Sequence, residues 1–323
     1  MAEIVTFGEL LVEFVAARTG QTFDSPGTFE GPFASGAPAI FADQAALQGA
    51  SVAIAGCVGQ DAFGEAILRR LNADGVSIAS VLRSPDRPTG TAFVAYRADG
   101  ERHFVFNIAH SAAALLDEGG IDPALFEDCC WLHIMGSSLS NSGAIRAARA
   151  ATREARQRGC KISFDPNIRP ELTGPPEVQQ ALWETLEICD LFLPSEADLR
   201  FFHPNLASEG FIRKMLDRPS LEAVVLKRGA AGSLYIGREQ HIEARAFEVA
   251  EVDPTGAGDC FCGTLLASLV RGLPVQQALV RANAAGAMAV LKRGPMEGNS
   301  SKEQLDRFIA ARASSLPSVR ASG

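Results

Sequence analysis

Residues 252–263 read VDPTGAGDCFCG, and an apolar run, FCGTLLASLV, continues from Phe261 to Val270. Glycines ahead of an uncharged apolar run read as a turn feeding a buried helix. A helix start presents N–H groups without intrahelical partners and a partial positive charge. Gly256 and Gly258 let the backbone approach a ligand closely. With Ala257 between them, the segment reads as an anion site suited to phosphate. Asp259 is the odd residue, because a carboxylate beside a phosphate repels it. Two readings stand evenly: a general base that takes a proton from an attacking hydroxyl, or a first-turn acid stabilised by the helix dipole.

Outward from this segment, short apolar runs recur at 4–7, 52–58, 131–135, 161–164, 191–193 and 223–226. Their near-continuous apolarity suits strands buried on both faces of a parallel sheet. Amphipathic stretches at 37–48, 63–72 and 142–157 lie between them. Alternating strands and helices predict an α/β, doubly wound, mainly parallel sheet. Two regions break the alternation. Residues 9–35 carry short β-forming pieces between glycines. Residues 88–108 read PTGTAFVAYRADGERHFVFNI, in which Asp99-Gly100 signals a hairpin. Both are expected to form a small second sheet. The main domain is placed at 1–313 and a flexible tail at 314–323.

The 323 residues are 47% hydrophobic and 21% charged, an ordinary globular balance. Lys and Arg number 30 against 38 Asp and Glu, so a net charge of −8 argues against nucleic acid as a partner. Seven scattered cysteines, an odd count, argue for a reducing compartment rather than a disulfide framework. No apolar run is long enough to span a bilayer. The N-terminus carries Glu3, Glu9 and Glu13 with no basic lead, unlike a signal peptide. A soluble cytoplasmic protein without a membrane partner is therefore expected. No Gly-Lys dipeptide exists for a Walker loop, and no His-Arg-Asp for a protein kinase. The dinucleotide fingerprint does not follow the first strand, which weakens a dehydrogenase reading.

The residues resemble the ribokinase-like, PfkB-type carbohydrate kinases, especially fructokinase, tagatose kinase and 2-keto-3-deoxygluconate kinase members. Asp253-Pro-Thr-Gly-Ala-Gly-Asp259 is similar to that family's C-terminal signature. Gly59-Gln-Asp61-Ala-Phe-Gly64 matches part of the N-terminal one, and Ser35-Gly36-Ala-Pro-Ala-Ile40 matches it in fragments. The resemblance implies a three-layer fold with a β-sheet lid, and an ATP- and Mg²⁺-dependent transfer to a sugar hydroxyl. Asp259 would be the base, and Gly256, Ala257 and Gly258 would hold the phosphoryl charge. Glu13, Gly36, Arg97 and Arg169 would bind substrate. Asn167, Ser195, Lys227, Gly229, Gly232 and Asn283 would bind nucleotide. Asp198 would act indirectly on Mg²⁺, and Asp253 on a monovalent cation such as K⁺. A homodimer is compatible with the resemblance.

Three departures stand out. Glu13 replaces the family's usual Asp, Ile40 replaces an Asn, and Ser195-Glu-Ala-Asp198 replaces Asn-x-x-Glu. The first two bear on which sugar is read, the third on metal contacts. Asp165-Pro-Asn167-Ile-Arg169 resembles an element of fructokinases and 2-keto-3-deoxygluconate kinases. The expected substrate is a ketohexose of the fructose or tagatose type, or 2-keto-3-deoxygluconate. The alternatives are a nucleoside kinase of the same fold and, in another class, a non-catalytic nucleotide-binding protein. His133, on an apolar strand, reads as a core residue. His103 and His110 read as exposed lid polarity, and Cys260 and Cys262 as small packing residues.

Overall fold

The structure, a computed structural model, describes residues 2–97, 102–204, 208–312 and 319–322. Its strands in chain order are β1 (Ile4–Phe7), β2 (Leu11–Ala16), β3 (Phe29–Ser35), β4 (Val52–Gly59), β5 (Val76–Ser84), β6 (Gly90–Tyr96), β7 (Arg102–Asn107), β8 (Trp131–Met135), β9 (Lys161–Asp165), β10 (Leu191–Phe192), β11 (Ala223–Lys227), β12 (Ser233–Gly237), β13 (His241–Ala244) and β14 (Val319–Ser322). The helices are α1 (Ala37–Leu47), α2 (Ala62–Ala73), α3 (Ser142–Gln157), α4 (Pro176–Ile188), α5 (Glu196–Phe202), α6 (Ser208–Leu216), α7 (Ala257–Val270), α8 (Val275–Ala289) and α9 (Lys302–Ala310).

One ten-stranded sheet runs in the order β14-β13-β12-β11-β10-β9-β8-β1-β4-β5. From β5 to β11 every pairing is parallel, and the β11 to β14 edge is antiparallel. The fully buried pattern of β1, β4 and β8 follows from helices on both faces. One face packs against α1, α2, α7, α8 and α9, with Phe41, Leu71 and Leu266 in its core. The other packs against α3 to α6 around Phe7, Phe164 and Phe192. The strand order reverses at β1, which lies between β4 and β8. The C-terminal ends of strands beside such a reversal form a crevice. The chain places Glu9, Ser137, Asp165–Arg169 and Lys227 at those ends.

The segments set apart in the sequence form a separate sheet, β3-β2-β6-β7, which lies over the crevice. β6 and β7 pair antiparallel with Tyr96 opposite Arg102, as a hairpin requires. The Asp99-Gly100 turn itself lies outside the described residues. One feature departs from the sequence expectation. Val319–Ser322, assigned to a flexible tail, pair with β13 as an antiparallel edge strand. A sheet edge with unpaired N–H and C=O groups is a template that a short polar strand can satisfy. His133 is a core residue, as expected: it is stacked on Phe41 at 3.8 Å and bonded to Ser163 at 2.8 Å.

Candidate active site

Helix α7 begins where the sequence placed an anion site. Gly256 caps it with φ 79°, in the left-handed region. A Cβ at Gly256 would lie 2.3 Å from the Pro295 carbonyl oxygen, so no side chain fits. The amides of Ala257, Gly258 and Asp259 follow in the first turn, ahead of the helical ladder. The Asp259 carboxylate is buried. The Asn167 side-chain amide donates to its Oδ1 at 3.4 Å. Burial, followed by the charge of Asp165, pushes the Asp259 pKa up to about 7, against the pull of Arg169 and Lys227. A carboxylate with that affinity for a proton is tuned to accept one near neutral pH.

The lid supplies the opposite wall. Glu13, on β2, is buried, and Ser35 donates to its Oε2 at 3.1 Å. Oε1 is buried and has no hydrogen-bond partner among the described residues. Burial also raises the Glu13 pKa to about 7. Glu13, Asp259, Gly36, Ile40, Arg102 and Arg169 line one pocket, together with Asn167 and Gly256. The guanidinium carbons of Arg102 and Arg169 lie 5.6 and 5.8 Å from the centre of the Phe104 ring. Burial and the like charge of Arg169 lower the Arg102 pKa. The pocket thus has a buried carboxylate and the start of α7 at one end, a second buried carboxylate in the lid, and two guanidinium groups near one aromatic ring.

The other expected site residues lie outside the lining of this pocket. Arg97, expected to bind substrate, is exposed and lines a separate surface hollow with Phe23 and His103. Strand pairing explains this: Arg102, Phe104 and Phe106 of β7 alternate onto the pocket side, whereas Arg97 lies past the end of β6. Asp198, expected to act on a metal, is committed to the protein. It accepts from the Ser195 N–H at 2.7 Å, from the Ser195 hydroxyl at 2.6 Å and from the Ile168 N–H at 2.9 Å. Ser195 in turn caps α5, completing a capping box. Lys227 turns inward to pair with Asp165. Asn283 donates to the carbonyls of Ala244 and Arg245 at 3.0 and 3.2 Å, which ties α8 to the end of β13. Gly229 and Gly232 form the β11–β12 turn with φ 54° and 93°. Asp253 accepts from Tyr96, Thr255 and Gly294. Among the described residues, no group of three or more His, Cys, Asp or Glu could hold a metal ion.

The pfkB family carbohydrate kinase model matches residues 1–302. The chain belongs to the pfkB family of carbohydrate kinases. It is 32% identical over 317 residues to fructokinase-1 of Zea mays, covering 95% of this chain and 97% of that protein. Among solved structures, an E. coli protein provisionally named ribokinase II, in complex with ATP and Mg²⁺, is 41% identical with a TM-score of 0.91. That match covers 96% of this chain and all of the other. A Vibrio cholerae fructokinase, bound to fructose, ADP and potassium, is 26% identical with a TM-score of 0.84, covering 95% and 98% of the two chains. This pfkB kinase is accordingly a sugar kinase with the ribokinase-like fold.

Several residues in and around the pocket of the kinase escaped the sequence reading. Arg102 and Phe104 were findable from period-two alternation along β7. Glu9 lines the same pocket and accepts from Ser138 at 2.6 Å and Ser137 at 3.3 Å. It belongs to the loop after β1, and no local pattern distinguishes it from an ordinary surface acid. Tyr96, which bonds to Asp253, is separated from it by 157 positions.

Proposed function

We propose that this kinase transfers the γ-phosphoryl of ATP to a primary hydroxyl of a ketohexose of the fructose or tagatose type. The observation that carries the reading is the placement of Asp259 and Glu13 in one pocket, with the first-turn amides of α7 beside Asp259. Asp259 takes the hydroxyl proton as the oxygen attacks. The amides of Gly256, Ala257 and Gly258 stabilise charge on the transferring group. Glu13 accepts a bond from a sugar hydroxyl at the lid end. The lid excludes water, which otherwise competes as acceptor. The described residues offer no carboxylate cage. Mg²⁺ carried on the nucleotide phosphates fits that donor set, and it would supply charge neutralisation there. All seven cysteines are free thiols, which supports a reducing, cytoplasmic setting.

One observation favours a second reading, a keto-acid such as 2-keto-3-deoxygluconate. Neither Arg102 nor Arg169 has a carboxylate within ion-pair distance among the described residues, and both face the pocket. A carboxylate on the substrate would satisfy a guanidinium fork. Glu13 would repel an acid lying against it, so the neutral ketohexose remains the primary reading. An ADP-release screen over fructose, tagatose, 2-keto-3-deoxygluconate, ribose and nucleosides tests both. Turnover on a ketohexose is expected. Turnover confined to the keto-acid selects the second reading, and turnover only on nucleosides removes both.

A further inference from the structure

Beneath the anion hole lies a buried charge pair that phosphoryl transfer, as set out above, does not use. Lys227 ends β11, and its ammonium pairs with Oδ2 of Asp165, at the end of β9. The side chains are 13% and 1% exposed, so both charges are withdrawn from water. The Cys262 thiol donates to the same carboxylate oxygen at 3.3 Å, and its sulfur lies 3.7 Å from the ammonium. Burial works against the lysine's charge, but Asp165, Cys262 and Asp198 outweigh it and push the pKa up. Lys227 therefore stays protonated.

The other carboxylate oxygen of Asp165 faces the turn after β9. It accepts from the Asn167 N–H at 3.1 Å. That bond closes a turn in which Asn167 takes φ 40°, a left-handed conformation that Asn tolerates better than most side chains. From this backbone the Asn167 amide reaches Asp259 at 3.4 Å and the Met135 sulfur at 3.7 Å. A continuous line of contacts thus joins Lys227 to Asp165, Asn167 and Asp259. The ammonium also lies 3.6 Å from where a Cβ on Gly258 would be, close to the first turn of α7.

Charge gives this line a purpose. Asp165 is a second carboxylate next to Asp259, and the two repel. Left uncompensated, Asp165 would hold a proton on Asp259 and oppose the incoming phosphoryl group. A buried carboxylate stripped of its partner is strongly destabilising, so the pair stands or falls together.

We propose that Lys227 is a positioning residue for phosphoryl transfer: it cancels the charge of Asp165 and, through Asp165 and the Asn167 turn, orients Asp259 as the proton acceptor. The inference rests on Asp259 being the base. The ionisable groups facing Asp259 are Glu9 after β1, Asp165 and Arg169 at the end of β9, Lys227 at the end of β11, and Cys260 and Cys262 on α7. Of these, Lys227 and Cys262 touch Asp165, and Lys227 is the one that carries a positive charge there.

The test uses Lys227→Met, the double variant Lys227→Met with Asp165→Asn, and Asp259→Asn. Each is assayed for kcat, KM and the pH profile on the best sugar from the screen. Lys227→Met should lower kcat at least about tenfold, with both KM values within roughly threefold. The acid limb of kcat should move up by about one pH unit. The double variant removes both charges, and an asparagine at 165 can still accept the Asn167 N–H. It should return the acid limb to its wild-type position. Where Lys227→Met does not fold, the double variant decides alone. A wild-type kcat and acid limb in Lys227→Met overturns the proposal, as does an acid limb still displaced upward in the double variant. Full turnover in Asp259→Asn removes the base assignment itself. Loss of turnover there, with either overturning result, leaves the base in place and Lys227 without this role.

Discussion

The hydroxyl of Tyr96, at the end of lid strand β6, donates to the carboxylate of Asp253 across 2.5 Å. Asp253 opens the loop that leads into α7. Its Oδ1 also accepts from the Thr255 N–H at 2.9 Å, and its Oδ2 from the Gly294 N–H at 2.9 Å. Burial would raise the Asp253 pKa, but these donors hold it below the ordinary value. Burial and the bond to Asp253 raise the Tyr96 pKa in turn. One side chain therefore links the lid to the backbone just before α7.

Removing that hydroxyl should loosen the lid without touching the base. Tyr96→Phe is expected to lower kcat about tenfold, in line with losing a hydrogen bond to a charged group. It should also let water compete, so that ADP forms in excess of sugar phosphate. Paired measurement of the two products checks this. A ratio that stays at the wild-type value contradicts the link.

Monovalent cations probe the same loop from the other side. At equal ionic strength, turnover in K⁺ should exceed turnover in a bulky organic cation. If the Asp253 carboxylate is a ligand, Tyr96→Phe removes one of the two donors to its Oδ1 and should lower the half-activating K⁺ concentration. Equal rates in the two salts count against a cation at Asp253.

Substrate choice is expected to divide between the two ends of the pocket. At pH 8, where Glu13 is ionised, Glu13→Gln should lower kcat/KM for a ketohexose and leave the KM for ATP nearly unchanged. A site built to accept a hydroxyl loses that discrimination when its acceptor is blunted. For a keto-acid, Arg169→Lys should raise the substrate KM more than Glu13→Gln does, because an ammonium cannot reproduce a guanidinium fork. Parallel kinetics on fructose and 2-keto-3-deoxygluconate separate the cases. Equal effects of both substitutions on both sugars contradict the division.

The rate should also report Asp259 through pH. With a folded pKa of about 7 rather than 3.8, the carboxylate is protonated below neutrality and cannot accept a proton. The sugar kcat/KM should therefore fall as pH drops below about 7, approaching tenfold per unit. A profile flat down to pH 5 would mean the acid limb belongs to an ordinary exposed carboxylate or to none.

Much of this was legible in the chain. The apolar runs at β1, β4 and β8 announce a parallel sheet because a strand covered on both faces has no polar alternation to show. The Thr255–Asp259 turn announces itself because glycines, an acid and an apolar helix rarely coincide by chance. The lid was legible as β-forming segments that broke the alternation. What stayed hidden depends on pairing across long separations. Arg102 faces the pocket and Arg97 does not, because β6 and β7 put Tyr96 opposite Arg102. Lys227 reads in sequence as a residue of the nucleotide loop, and the structure adds that its ammonium pairs with the buried Asp165. Asp198 reads as acting indirectly on Mg²⁺, and the structure adds that the start of α5 and the Ile168 N–H donate to both its oxygens. In each case a charge is claimed by a partner that is distant in sequence or supplied by the backbone, and no local pattern records that.

The central claim is that Asp259 takes the proton from the attacking hydroxyl, and Asp259→Asn tests it most directly. Asparagine keeps the shape but cannot serve as the base. With the preferred sugar at saturation and pH 8, kcat should fall roughly 10²–10⁴-fold, the range for losing a general base. ATP affinity should hold or improve, since a negative charge near the γ-phosphate is gone. Turnover near the wild-type rate in a correctly folded Asp259→Asn enzyme would contradict the account.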